Sequence, residues 1–127
     1  MLFSAVEETY KSKQHMKYII TESKLEEVII KYLNKFYGDL KEYKIDKYPN
    51  RVFYMRDNKM YMELDMNLVD DTIWVEYETI WGDLKNMFGL KTPEIKHIIT
   101  KWVEDTYKLN SVPLNVEECP SRYFPQL

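Results

Sequence analysis

Arg51-Val-Phe-Tyr-Met-Arg-Asp-Asn-Lys-Met-Tyr-Met-Glu-Leu-Asp-Met66 is the stretch whose reading decides the fold. Its first five residues are β-branched, aromatic or long apolar types apart from the leading arginine, and such residues suit a pleated, half-buried surface. Arg56-Asp-Asn-Lys59 interrupts them with turn chemistry, which places Asp57-Asn58 at the tip of a β-hairpin. After the turn, Met60, Met62, Leu64 and Met66 alternate with Tyr61, Glu63 and Asp65. A period of two assigns the methionine and leucine side chains to a core and Glu63 and Asp65 to water.

Working outward, Asp70-Asp71 reads as the next turn and Thr72-Ile-Trp-Val-Glu76 as a third strand, giving a three-stranded antiparallel meander. The residues from Met60 to Leu84 hold seven acids (Glu63, Asp65, Asp70, Asp71, Glu76, Glu78 and Asp83) and neither lysine nor arginine. Acids are poor strand formers, so a one-signed run here calls for a reason. A solvated face that discourages edge pairing is one. A docking patch is another, with Tyr61 and Trp74 as aromatic anchors inside the acidic rim of Glu63 and Asp65, suited to a basic protein partner.

Ahead of the hairpin, Leu25, Val28, Ile29, Tyr32, Leu33, Phe36 and Leu40 recur with a helical period. Ser23-Lys-Leu-Glu26 has capping-box spacing; alternatively Thr21 caps and Ile20 staples onto Leu25. Ser4-Ala-Val-Glu7 has the same spacing over a thin apolar face, so residues 1–16 read as a marginal helix or an arm. Behind the meander, a second helix is expected over residues 78–88, with Tyr77, Ile80, Trp81, Leu84, Met87 and Phe88 on one face. Gly82 lies inside it, where glycine costs about 1 kcal/mol against alanine, and allows a close crossing. Gly89 fits the position just past the helix end, with Leu90 folding back onto Leu84. Thr92 as N-cap and Pro93 at the first position open a third helix that buries Ile95, Ile98, Ile99, Trp102 and Val103. Residues 110–127, with Pro113, Pro120 and Pro125, read as an extended tail.

The expected fold is therefore one α+β domain over residues 1–127: a helix, a three-stranded antiparallel meander, a helical hairpin and a strap. The helices cover one sheet face, through its Met60, Met62 and Leu64 side. Length alone favours one domain, large enough for a core without disulfides or metals. Eleven tyrosines and seven methionines fill core and rim. Cys119 is the sole cysteine, which fits a reducing compartment, and the short apolar runs span no membrane. Cytoplasmic localisation is expected. Residues 1–59 carry 12 basic and 9 acidic groups (+3), and residues 60–127 carry 6 and 12 (−6). That asymmetry argues against a general phosphate-binding surface in the second half.

Catalysis finds little support. The acids suit Mg²⁺ or Ca²⁺ by donor type, but Asp70-Asp71 has neither EF-hand spacing nor its glycine. The strand carboxylates also lack the lysine two residues on that a nuclease site wants. His15 and His97 are far apart, and three scattered glycines build no phosphate loop. Neither a metal, a cofactor nor an enzymatic activity is expected. Residues 78–109 do share the apolar spacing of a helix-turn-helix, which would set Lys91, Lys96, His97 and Lys101 against nucleic acid. A plain packing hairpin gives the same spacing, and Lys85, Pro93 and Glu94 depart from the DNA-binding pattern.

Lys17-Tyr-Ile-Ile-Thr-Glu-Ser-Lys-Leu25 resembles the openings of small uncharacterised proteins of tailed bacteriophages. The resemblance covers under a tenth of the chain and implies a phage origin, with no activity or residue role. Together these readings point to non-catalytic protein binding, as a phage accessory or virion component, or to self-association through a sheet edge. The alternative is a DNA-binding protein using the hairpin of residues 78–109.

Overall fold

In the computed structural model, which describes residues 22–67, 69–109 and 114–125, the chain is α+β, with a five-stranded mixed sheet. Its elements are α1 (Glu22–Tyr37), β1 (Lys41–Tyr43), β2 (Arg51–Arg56), β3 (Lys59–Met66), β4 (Asp71–Glu76), α2 (Gly82–Asn86), α3 (Thr92–Tyr107) and β5 (Leu114–Cys119). A π-helical turn, Tyr77–Trp81, leads into α2, and a 3₁₀ turn, Ser121–Tyr123, follows β5.

The expected hairpin is present. Asp57 and Asn58 take φ of 51° and 63°, the left-handed pair that a two-residue type I′ turn demands. The strand order is β1-β2-β3-β4-β5, antiparallel except for the last pair. Two strands were not expected. β1 is a three-residue edge, exposed throughout. β5 arises within the presumed strap and pairs parallel with β4, Ile73 opposite Val116. Proline stands on both sides of it, at 113 and 120, and leaves Leu114–Cys119 free to complete a ladder. A parallel return needs a long crossover. Here the segment from Tyr77 to Leu109 supplies it, so the helical pair is internal to the sheet and not C-terminal.

One sheet face carries Val52, Tyr54, Met62, Leu64, Ile73, Val75 and Val116, and the helices cover it. The five apolar residues expected of α3 are all buried there. Met60 is a correction. The β2–β3 register shifts between Tyr54 and Met55, so Met62 opposes Tyr54 while Met60 opposes Met55. Tyr61 is the extra residue of a β-bulge, and the bulge turns Met60 to the far face.

The helix boundaries differ in instructive ways. α1 is described from Glu22, and Ser23 lies within it; Thr21 and Ile20, like residues 1–16, lie outside the described residues. Its stripe also splits. Leu25, Ile29, Leu33 and Tyr37 are buried, while Val28 and Phe36 are exposed. α3 is capped one residue earlier than expected, at Lys91, whose backbone N–H donates to the buried Glu94 side chain at 2.8 Å. Gly89, at φ 67°, holds the expected position, and the Leu90 N–H closes onto the Leu84 carbonyl at 3.2 Å.

Gly82 answers to its own helix and not to a crossing. A Cβ there would sit 2.7 Å from the Tyr77 carbonyl oxygen, which the π-helical turn pushes inward. Gly82→Ala therefore inverts its intrinsic helix preference: chemical denaturation should show a loss of about 1–3 kcal/mol where an ordinary helix would gain. A stabilised variant would mean that the π turn relaxes at no cost.

Candidate functional site

The acid-rich stretch does not form one exposed face. Of its seven acids only Glu78 is exposed; Glu63 and Glu76 are buried and the other four are half-buried. Alternation assigned Glu63 correctly to the face opposite Met62 and Leu64. That face is not solvent. Phe53, Met60, Cys119 and Phe124 form a second core on it, with Ile45, Tyr48, Met55 and Trp74 at its margin. Tyr123 packs on Trp74 with ring centroids 5.1 Å apart. The covering residues come from the β1–β2 loop and from the segment after β5, both distant in sequence from Glu63.

The expected anchors are also separated. Tyr61 lies at the bulge beside Tyr37, at 5.8 Å, and packs against the helix-side core. Glu63 sits directly across from Trp74 on the other face. Its nearest cation is Arg51, Nε to Oε2 3.7 Å, and neither carboxylate oxygen accepts a hydrogen bond. Burial pushes its pKa up to about 6 against the opposing pull of Arg51, and Asp65 adds to the rise. The Trp74 indole N–H is likewise without an acceptor. Cys119 shares this layer; burial, with the charges of Glu63, Glu76 and Glu118, raises its thiol to about 12, which holds it protonated and a poor nucleophile. Among the described residues no group of three His, Cys, Asp or Glu is placed to hold a metal ion.

Lys96 and Lys101 of the hairpin are engaged within the fold. Lys96 Nζ meets Glu117 on β5 at 3.1 Å. Lys101 Nζ meets Glu26 on α1 at 2.6 Å, and His97 Nε2 is 4.0 Å from the same carboxylate. These pairs tie α3 to its neighbours. Lys91 is exposed at the N-cap of α3.

The surface that does stand out was absorbed into the core by the sequence pattern. Val28, Tyr32 and Phe36 repeat every fourth residue along α1 and form a ridge beside the buried stripe. Val28 is 51% exposed and Phe36 42%. Tyr32 packs on Phe36 at 4.7 Å and on Phe88 at 5.4 Å. Met87, 59% exposed, extends the patch, with its sulfur 3.3 Å from the Tyr32 hydroxyl. The ridge is held in place from below. Tyr32 and Tyr37 both donate to Asp83 Oδ2, at 2.8 and 2.6 Å. Burial and that carboxylate raise the Tyr32 pKa to about 12 and move Tyr37 in the same direction. Two phenols thus bind α1 to α2 and satisfy the acid between them. Lys35 borders the patch, its Nζ 5.4 Å from the Phe36 ring centroid, and forms no ion pair among the described residues. A 3.6-residue period alone cannot find such a ridge, because it shows a helix's apolar arc but not how much of the arc its neighbours cover.

No protein-family model matches the chain, and no curated protein or solved structure matches it. No helix of the described residues is long and apolar enough to cross a membrane.

Proposed function

We propose that this protein is a non-catalytic protein-binding component, of the accessory or structural kind found in tailed phages, and that it docks through the Val28–Tyr32–Phe36 ridge with Met87 and Phe88. The observation that carries this reading is the exposure of Val28, Phe36 and Met87 around aromatic rings held by Asp83. Contiguous apolar and aromatic surface on a soluble fold marks contact with another macromolecule, and rigid tyrosine and phenylalanine rings make good anchors because little side-chain freedom is lost on binding. Methionine beside them adapts to the partner's shape.

The rim sets the partner's charge. Lys35, beside the Phe36 ring, favours an acidic, apolar segment, the reverse of the basic partner that the acid-rich stretch suggests. An amphipathic helix with apolar residues at i and i+4 and acids on its flanks has that chemistry. DNA binding is the weaker reading, since Lys96, Lys101 and His97 would have to leave Glu117 and Glu26.

Selection of random helical peptides against the folded protein tests the proposal. Enriched peptides should pair apolar spacing with acids, and Val28→Asp with Phe36→Asp should weaken them roughly thirtyfold or more. Both residues are exposed, so the fold should survive. Binders that ignore the double substitution would place the docking surface elsewhere.

A further inference from the structure

The outer edge of β1 is open. No described strand pairs with its far side, and Lys41, Glu42, Tyr43 and the Lys44 that follows are all exposed. The hydrogen-bond ladder fixes which backbone groups face that edge. The Met66 N–H donates to the Asn50 carbonyl at 2.9 Å, so even-numbered residues of β2 turn their N–H and C=O toward β3 and odd-numbered ones toward β1. The Arg51 N–H agrees, donating at 3.1 Å to the Tyr48 carbonyl in the β1–β2 loop. Phe53 therefore bonds Tyr43, which lies opposite it, and Glu42 turns its own N–H and C=O outward. The same alternation directs Leu40 and Lys44 outward. The Leu40 N–H is already taken, since it donates to the Tyr107 hydroxyl at 3.1 Å. The open edge is thus Glu42 to Lys44.

We infer that a second copy of this chain docks on this edge, β1 against β1 in the antiparallel sense, about a two-fold axis at Tyr43. Charge carries the choice. Backbone pairing sets outward residues against each other, which admits Glu42 on Glu42, Lys44 on Lys44, or Glu42 on Lys44. The first two oppose like charges and are destabilising. The third opposes unlike charges, and the two-fold repeats the pair, so Glu42-Tyr43-Lys44 is its own complement. Charge on a short edge strand ordinarily resists pairing; here it selects one register. Lys44 forms no ion pair among the described residues, and Glu42 meets the Tyr54 hydroxyl only at a long 3.4 Å. Tyr43, 49% exposed, then faces Tyr43 of the second copy in a non-hydrogen-bonded pair, where cross-strand side chains come closest. Such pairing joins two five-stranded sheets into one.

Sedimentation velocity from about 1 μM to about 1 mM protein should show a monomer–dimer equilibrium that weakens as salt rises. Glu42→Lys and Lys44→Glu each convert both cross-strand pairs to like charges, and each should weaken the dimer about tenfold or more. Combined, they restore opposite charges and should recover it; both residues are exposed, so the fold should survive. Under mild oxidation Tyr43→Cys should form an intermolecular disulfide, whereas Glu42→Cys, whose two copies are offset along the strands, should not. Cys119 is buried and does not compete. Val28→Asp with Phe36→Asp should leave the dimer intact, which separates this edge from the α1 ridge. A monomer throughout, a dimer indifferent to the single reversals, no recovery in the double variant, cross-linking as ready through Glu42→Cys, or a dimer lost with the ridge substitutions would overturn the assignment.

Discussion

Trp102→Ala is expected to cost about 3–5 kcal/mol in chemical denaturation, the largest effect of any single truncation in the helix layer. Trp102 is fully buried in α3 among Ile98, Ile99 and Val103. Its ring meets Tyr107 edge-on at 5.5 Å, and Tyr107 in turn meets Tyr54 on the sheet at 5.1 Å. The loss would therefore reach the layer where α3 lies on β2. The indole N–H donates to Asn34 on α1 at 3.0 Å, and Thr106 donates to the same oxygen. Truncation thus opens a cavity and breaks a bond between the two long helices. Trp102→Phe keeps most of the volume and loses the donor, so its cost should be well under half that of the alanine variant. Equal losses would mean that the hydrogen bond outweighs the packing. A loss below about 1 kcal/mol, the scale of an exposed site, would contradict the burial of Trp102.

Glu63→Gln should do the reverse and stabilise the protein above neutral pH. The carboxyl pKa rises from 4.5 to about 6 on folding, chiefly through burial. The folded state therefore binds the proton more tightly than the unfolded chain does. Stability from this group is fully present below pH 4.5, falls as pH rises, and is lost above about pH 6. The difference corresponds to about 2 kcal/mol of cost at neutral and alkaline pH. Glutamine has the same shape without the charge. The stability of the variant relative to the parent should accordingly climb by about 1–2 kcal/mol between pH 4.5 and 7.5 and then level off. Urea titrations across that range measure it. A difference that is flat or falls with pH would show that the Arg51 attraction outweighs burial, and that Glu63 contributes to stability as an ion pair. A buried carboxylate without a hydrogen bond is unfavourable for stability alone. It lies across from Trp74, on the face that Cys119 and the segment after β5 share.

Both predictions depend on facts that differ in how far they can be read from residues. The β2–β3 hairpin, its Asp57-Asn58 tip, the buried face of α3 and the Gly89 stop all follow from local chemistry: side-chain period, left-handed backbone tolerance and helix-end geometry act within a few residues. The α+β class follows from them. Alternation also separated Glu63 from Met62 correctly, because the pleat dictates opposite faces.

What covers each face is another matter. Phe124, Tyr123 and Tyr48 turn the Glu63 face into a second core, and they lie outside the hairpin sequence. The bulge at Tyr61 comes from the β2–β3 pairing, and it moves Met60 without any mark in the alternating pattern. β5 is a strand because β4 offers it an edge; its own residues, between two prolines, read as strap. On α1 the apolar arc is wider than the partners that cover it, so Val28 and Phe36 remain outside. The amino-acid sequence by itself determined the hairpin, the strand after it, the helices and the opposite faces of Met62 and Glu63, since steric and hydrogen-bonding rules are local. Only the tertiary structure decided which surface each side chain meets. That depends on contacts between residues far apart in the chain, and it moved the candidate docking surface from the acids of β3 to the ridge of α1.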